Sequence, residues 1–382
     1  MKGVLKVKGR AFVGLNSIEI FDGYSHVFTI PLKMIKRYGE SLSSIFLELK
    51  NDIVIKTGKS DEVINFLKRA GIERCSSFHN LGAFALLNAI CSASLISILI
   101  FFIPEFMPGI LNILMKFIAL PLIIFLGSLL STILLKVFIP TNKNWGIDNE
   151  LSSIIAKYSR ILRFTKIPRI HILNSINRGF IAMALPFSRT ILIMWMPRYC
   201  GNLCKQYIVA HELAHIRKKH VVKQISIYSF SAIALLIIAY TLITSNFNLF
   251  LIIFPISLLI LIGIIIFIPY VQEADAHVLA IKLVGSKAFM DYMSTELNYL
   301  LAMIDFIDSF ARSKNAKERY MSRVCKELLS VMRSSSIINR IELWISSFPH
   351  PPRYMLLNLA NTASKLSSYK LLREIIMDFF MK

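Results

Sequence analysis

Cysteine, acidic side chains and charge of either sign are all scarce in this 382-residue sequence: 5 Cys, 23 Asp+Glu, and 18% charged residues in total. The cysteines, Cys75, Cys91, Cys200, Cys204 and Cys325, are odd in number and scattered. No disulfide framework is therefore expected, and a reducing compartment fits. Internal repeats and low-complexity segments are absent. No secretory leader is expected either, because Lys2, Lys6 and Lys8 break up the first ten residues and no apolar core with a small-residue cleavage site follows them.

What is plentiful is apolar surface, and the charge that is present is mostly positive. Hydrophobic residues make up 55% of the chain, above the roughly 45–50% usual for soluble domains, and the mean hydropathy is +0.59. Lys+Arg number 44, giving a net charge of +21. Such a balance suits anionic lipid or nucleic acid. With no nucleic-acid recognition motif beside it, lipid is the expected partner and nucleic acid is not. Four apolar stretches, 81–103, 109–135, 225–244 and 249–268, are each long enough as helices to cover a hydrocarbon core of about 30 Å. They form two hairpins whose connections, 104–108 and 245–248, carry no Lys or Arg. The basic residues concentrate in 1–80, 139–224 and 270–382, which the positive-inside rule places, with both termini, in the cytoplasm.

Up to about Gly71 the sequence alternates strand-like runs (Ala11–Val13, Ser17–Phe21, Val27–Ile30, Ile45–Leu49, Ile53–Ile55) with Gly, Asn and Asp turns. It closes in an amphipathic helix from Asp61 to Ala70, capped by Ser60. That order resembles a pleckstrin-homology-like module. Such a module either braces the membrane helices or binds lipid or a partner protein. Further on, helices are expected over Glu150–Phe164 and from about Cys200 to Lys223, and strands over Arg169–Leu173, Gly179–Leu185 and Thr190–Met194.

The chemistry concentrates at His211-Glu212-Leu213-Ala214-His215. Residues four apart lie one turn apart on the same helix face, so both imidazoles can reach one ion, and neutral imidazole suits Zn²⁺. Glu212, beside the first ligand, is placed to take a proton from the attacking water and pass it to the leaving amine. A catalytic zinc site takes three protein ligands, so a third must come from elsewhere. The basic residues of this helix, Lys205, Arg217, Lys218 and Lys219, argue for a site at the cytoplasmic surface rather than inside the bilayer. His220, within that basic cluster, reads as a solvated side chain. Cys200 and Cys204 read as two buried thiols. Asp275 reads as pointing to another side of its helix from Glu273.

The segment Glu273-Ala274-Asp275-Ala276-His277, followed by Lys282-Leu283-Val284-Gly285, resembles the third-ligand helix of HtpX-type membrane metallopeptidases, relatives of the CAAX prenyl endopeptidases. The resemblance implies Glu273 as third zinc ligand, and it puts His277 where the family has Asp, in reach of a ligand imidazole. His350-Pro351-Pro352 resembles the family's His-Pro element and implies a transition-state role for His350; Leu356 stands where an Arg is expected, and Arg353 is a substitute. Lys166 to Leu173 resembles the family's strand entry to the site. Gly179, Phe180, Ile181 and Ala182 form a candidate edge strand for pairing with an extended polypeptide.

The expected architecture is thus an α-helical membrane protein with four transmembrane helices, a mostly helical α+β cytoplasmic metallopeptidase domain and a small α+β N-terminal module. The segments are a β-rich module (1–75), a first membrane hairpin (81–138), a catalytic segment (139–224), a second hairpin (225–269) and a helical segment with the third ligand (270–382). The resemblance implies zinc-dependent endoproteolysis of misfolded or damaged membrane proteins. The alternatives are a CAAX-type processing protease with a narrow substrate, and a zinc-binding membrane sensor or scaffold without turnover.

Overall fold

The computed structural model describes residues 4–41, 43–75, 149–172, 182–185, 189–193, 199–220, 247–329 and 351–363, with scattered positions besides. The N-terminal part is a seven-stranded sheet of β1 (Val4–Val13), β2 (Ser17–Asp22), β3 (Ser25–Pro31), β4 (Ile35–Glu40), β5 (Ser44–Leu49), β6 (Val54–Gly58) and β7 (Glu73–Arg74). The strand order is β3-β2-β1-β6-β5-β4-β7, antiparallel except where β1 meets β6 and β4 meets β7. Alternation places Leu5, Val7, Ala11, Ile18 and Ile20 inside. β1 bulges between Lys6 and Arg10. Gly9 lies there at φ +140°, and a Cβ on it would sit 2.0 Å from the Phe21 carbonyl oxygen, so only glycine fits.

Helix α1 (Asp61–Arg69) starts at Ser60, whose hydroxyl accepts the Val63 amide, and buries Val63, Ile64 and Leu67 against the sheet. The rest of the cover comes from far along the chain. Tyr299, Leu300, Met303, Phe306, Ile307, Ala316, Tyr320 and Val324 join the same core. They belong to α5 (Ser286–Phe310) and α6 (Lys314–Leu329). Phe28 of β3 lies between Phe306 and Tyr320, with ring centroids 5.6 and 5.3 Å away.

The second unit contains α2 (Asn149–Ile161), a three-stranded sheet of β8 (Arg169–Ile172), β9 (Ala182–Ala184) and β10 (Thr190–Ile193), then α3 (Asn202–Lys218), α4 (Phe247–Val284) and α7 (Arg353–Thr362). β10 is central, parallel to β8 and antiparallel to β9. Ile191 and Ile193 pack with Ile154, Tyr158, Val209 and Leu213, fixing α2 and α3 on the small sheet.

Two expectations are corrected. Among the described residues no helix is long and apolar enough to cross a membrane, so four transmembrane helices are not supported. The stretches 81–103 and 109–135 lie outside the described residues, as does nearly all of 225–244. The fourth, 249–268, is not a separate span. It leads a 38-residue helix, α4, that runs through Pro255 and Pro269 into a half carrying Glu273, Asp275 and Lys282. Hydropathy reads the composition of a segment, not the helix to which it belongs. Second, the N-terminal part is a larger sheet than the sequence suggests. β4 escapes notice because Lys36, Arg37 and Gly39 interrupt its alternation, and β7 is only two residues long.

Candidate metal centre

α3 carries the first two functional side chains. Its N-cap is Gly201, and Cys200, just ahead of the helix, is disulfide-bonded to Cys204 on its first turn. This corrects the expectation of two thiols: the residue before a helix cap is free of helical φ/ψ and can turn its Sγ back onto the first turn. The Cys204 amide, an orphan donor of that turn, donates to Asp291 Oδ2 on α5 at 2.9 Å. Tyr207, Ala210, Leu213 and Ala214 are buried. With α3 so enclosed, His211, Glu212 and His215 are held on a rigid element.

α4 supplies the third side chain. Ala274, Ala276 and Ala280 are fully buried, and these small residues let α4 lie close to α3. His211, His215 and Glu273 converge so that one ligand atom of each lies within 4.8 Å of the others. His211 Nε2 is 3.2 Å from His215 Nε2 and 3.3 Å from Glu273 Oε2, and His215 Nε2 is 3.4 Å from Glu273 Oε1. An ion held tetrahedrally at about 2.0–2.1 Å spaces its ligand atoms roughly 3.3 Å apart. The His211–His215 edge has that spacing, and each imidazole Nε2 faces its own oxygen of the Glu273 carboxylate, so the three side chains are gathered as a metal site needs. Electrostatics agree. Burial alone would lower the His215 pKa, yet the Glu273 and Glu212 carboxylates raise it, so this spot favours positive charge.

Around the three lies a shell of buried polar groups. His277 is buried, its ring 4.3 Å from that of His211, and its Nδ1 is hydrogen-bonded to the Tyr207 hydroxyl. The contact with His211 is ring against ring. His211 Nδ1 is buried and has no hydrogen-bond partner among the described residues. On the other side His220 Nδ1 is 3.1 Å from His215 Nδ1, and His220 Nε2 is 3.2 Å from Asp275 Oδ2, which Lys218 Nζ also meets at 3.2 Å. Burial lowers the His220 pKa. Burial would raise that of Asp275, but His220 and Lys218 hold it below the ordinary carboxylate value.

His220 and Asp275 therefore face the site, contrary to their reading from sequence. The signal for His220 is the end of α3: Lys219 adopts a left-handed conformation (φ 54°), and the chain turns back over the last helical turn. Arg353 opens α7, with its Nε donating to the buried Glu296 carboxylate at 3.1 Å while the Tyr292 hydroxyl donates to the other oxygen at 2.8 Å. Ala182 is in β9, at the edge of the small sheet among the described strands, beside Cys204 and Ile208 of α3. Gly179, Phe180, Ile181 and His350 lie outside the described residues.

No curated protein and no solved structure matches the chain. A family model does, that of Peptidase family M48, over residues 206–353. The matched segment spans both histidines, Glu212, Glu273 and the start of α7. Residues 206–353, with the His211-His215-Glu273 cluster among them, thus belong to the M48 metallopeptidases.

Proposed function

We propose that the chain is a zinc endopeptidase working at the cytoplasmic face of a membrane, where it cleaves misfolded or damaged membrane proteins. The observation that carries the chemistry is the convergence of His211, His215 and Glu273, with one ligand atom of each within 4.8 Å of the others, beside Glu212. Two imidazoles and one carboxylate are a donor set that suits Zn²⁺ rather than Ca²⁺ or Mg²⁺. His211, His215 and Glu273 would hold such an ion, which would supply Lewis acidity toward a water and the scissile carbonyl. Glu212 takes the proton of the attacking water on a carboxylate oxygen and delivers it to the amine that leaves. Among the described strands β9 is at the sheet edge next to α3, where an extended polypeptide can add as a further strand.

The membrane setting is supported by surface chemistry. On α4, Leu249, Ile252, Ile256, Leu259 and Ile260 are exposed, Leu259 to 68%, and an apolar patch of that kind marks contact with lipid or protein. The net charge of +21 suits an anionic leaflet.

The test compares wild type with Glu212→Gln, measuring bound zinc by elemental analysis and cleavage of casein. The variant should hold zinc in equal amount and lose at least about 10²-fold in hydrolysis. Near wild-type turnover, or a wild type that binds no zinc, overturns the reading. Salt- and carbonate-washed fractionation of the expressed chain tests the location. Full recovery in the supernatant is the outcome that rejects it.

A further inference from the structure

The first strand of the N-terminal sheet turns a row of side chains away from the core. Leu5, Val7 and Ala11 are buried, while Lys6, Lys8, Arg10 and Phe12 alternate with them and are exposed, Phe12 to 45%. β6 lies parallel beside this row, and its half-buried Lys56 is the ladder partner of Lys6. Partner positions share a face, so two ammonium groups stand next to each other, and like charges so placed destabilise a sheet. A further cation comes from far along the chain. The β1–β2 pairing covers Arg10 to Val13, and α6 closes the edge of β1 ahead of it. There the Tyr320 hydroxyl is hydrogen-bonded to the Lys8 backbone, and Arg323 Nη1 lies 3.5 Å from the Lys6 carbonyl oxygen.

Two carboxylates border this face, and both have partners. Asp22 takes Arg319 at 2.8 Å, and Glu19 faces His26 at 4.0 Å. Among the described residues no carboxylate pairs with Lys6, Lys8, Arg10, Lys56 or Arg323. Cations that repel one another without an acid of their own are stabilised by an anion from outside. Phe12 in the same row points to its kind: an exposed ring among cations fits the headgroup zone of a bilayer, where the cations meet phosphate and the ring reaches the acyl boundary. We propose that the outer face of β1 and β6, with Arg323 of α6, docks on the anionic headgroups of a membrane leaflet, as a lipid contact separate from the apolar surface of α4. The proposal rests on the membrane reading above and gives it a surface and a lipid class.

The experiment combines the full chain with nanodiscs of phosphatidylcholine alone or of phosphatidylcholine with phosphatidylserine, and reads the acetylation rate of each lysine by peptide mass spectrometry. With phosphatidylserine, Lys6, Lys8 and Lys56 should react about five-fold more slowly or less, the equivalent of one cation's attraction to an anionic surface. Lys33 and Lys50, exposed elsewhere in the sheet unit, should be unchanged. High salt should remove the protection. In phosphatidylcholine, Lys6→Gln should be as stable as wild type or more so, because it relieves the repulsion with Lys56; with phosphatidylserine it should lose protection at Lys8. Equal rates in the two discs, equal protection of Lys33 and Lys50, a destabilised Lys6→Gln, or protection by single-stranded RNA but not by phosphatidylserine each overturn the proposal. A chain that carbonate washing releases from membranes, yet still distinguishes the two discs, keeps this face and gives up α4 as a lipid contact. One that stays with the membrane but shows no difference loses this face alone.

Discussion

At the scale of single residues the centre depends on buried polar groups whose partners are fixed one by one. Tyr207 shows the cost. Its hydroxyl is enclosed and hydrogen-bonded to His277 Nδ1, and burial with the nearby Glu296 and Glu273 charges raises its pKa well above the ordinary value, so it keeps its proton. Tyr207→Phe removes that hydrogen bond and should cost about 1–3 kcal/mol. In urea the midpoint should fall with the slope unchanged. An unchanged midpoint would mean that the hydroxyl carries no stability. A second residue-scale effect has the opposite sign. Lys219 pays for a left-handed backbone without a hydrogen bond from its side chain among those described, so Lys219→Gly should stabilise by roughly 1 kcal/mol while Lys219→Val destabilises. Thermal melts of the two variants check the ordering.

Elements place these residues, and here the sequence is legible to different depths. The His-Glu-Leu-Ala-His spacing shows a shared helix face at once, because periodicity is a local property. Glu273 needs the resemblance to a family, since nothing in residues 211–215 says which later carboxylate returns to them. His220 and Asp275 are misread for a related reason. Their neighbours Arg217, Lys218 and Lys219 look solvated, and only the fold shows that the turn at Lys219 points the next ring inward. The disulfide is hidden likewise, because a four-residue spacing inside a helix seldom pairs, whereas one starting ahead of the cap does. The sheet residues of the N-terminal part are readable where they alternate and unreadable in β4. Helix proximity makes a prediction of its own. Ala276, on the helix that carries Glu273, has no exposed surface, so Ala276→Leu should cost about 1–3 kcal/mol by overpacking. The displaced Glu273 should also weaken zinc binding. Chelator competition and denaturation, run on the same sample, should move together; a loss of stability with unchanged affinity would separate Glu273 from the packing of its helix.

For the whole molecule the telling feature is that its first and last parts share one core. Phe28 is fully buried between Phe306 and Tyr320, and the Arg312 amide donates to the Val27 carbonyl at 3.0 Å. Phe28→Ala should cost about 3–5 kcal/mol. Because α5 also carries Asp291 and Glu296 beside α3 and α7, the loss should appear in melting of the entire chain. Asp22→Asn, which breaks only the exposed pair with Arg319, should change stability by less than about 1 kcal/mol. Calorimetry of both variants makes the comparison, and a separate early transition in Phe28→Ala would show that the sheet unfolds alone.

That shared core has a consequence in time. The ribosome delivers the seven strands first, and the helices that complete their cover about 240 residues later. At about 5–20 residues per second the interval is roughly 12–50 s. Through it, among the described elements, Phe28, Ile18 and Ile30 have α1 alone to shelter them, and the His-His-Glu cluster cannot close before α4 has emerged. Synthesis therefore yields a nascent chain that is sticky before it can become catalytic, and the same late helices end both conditions.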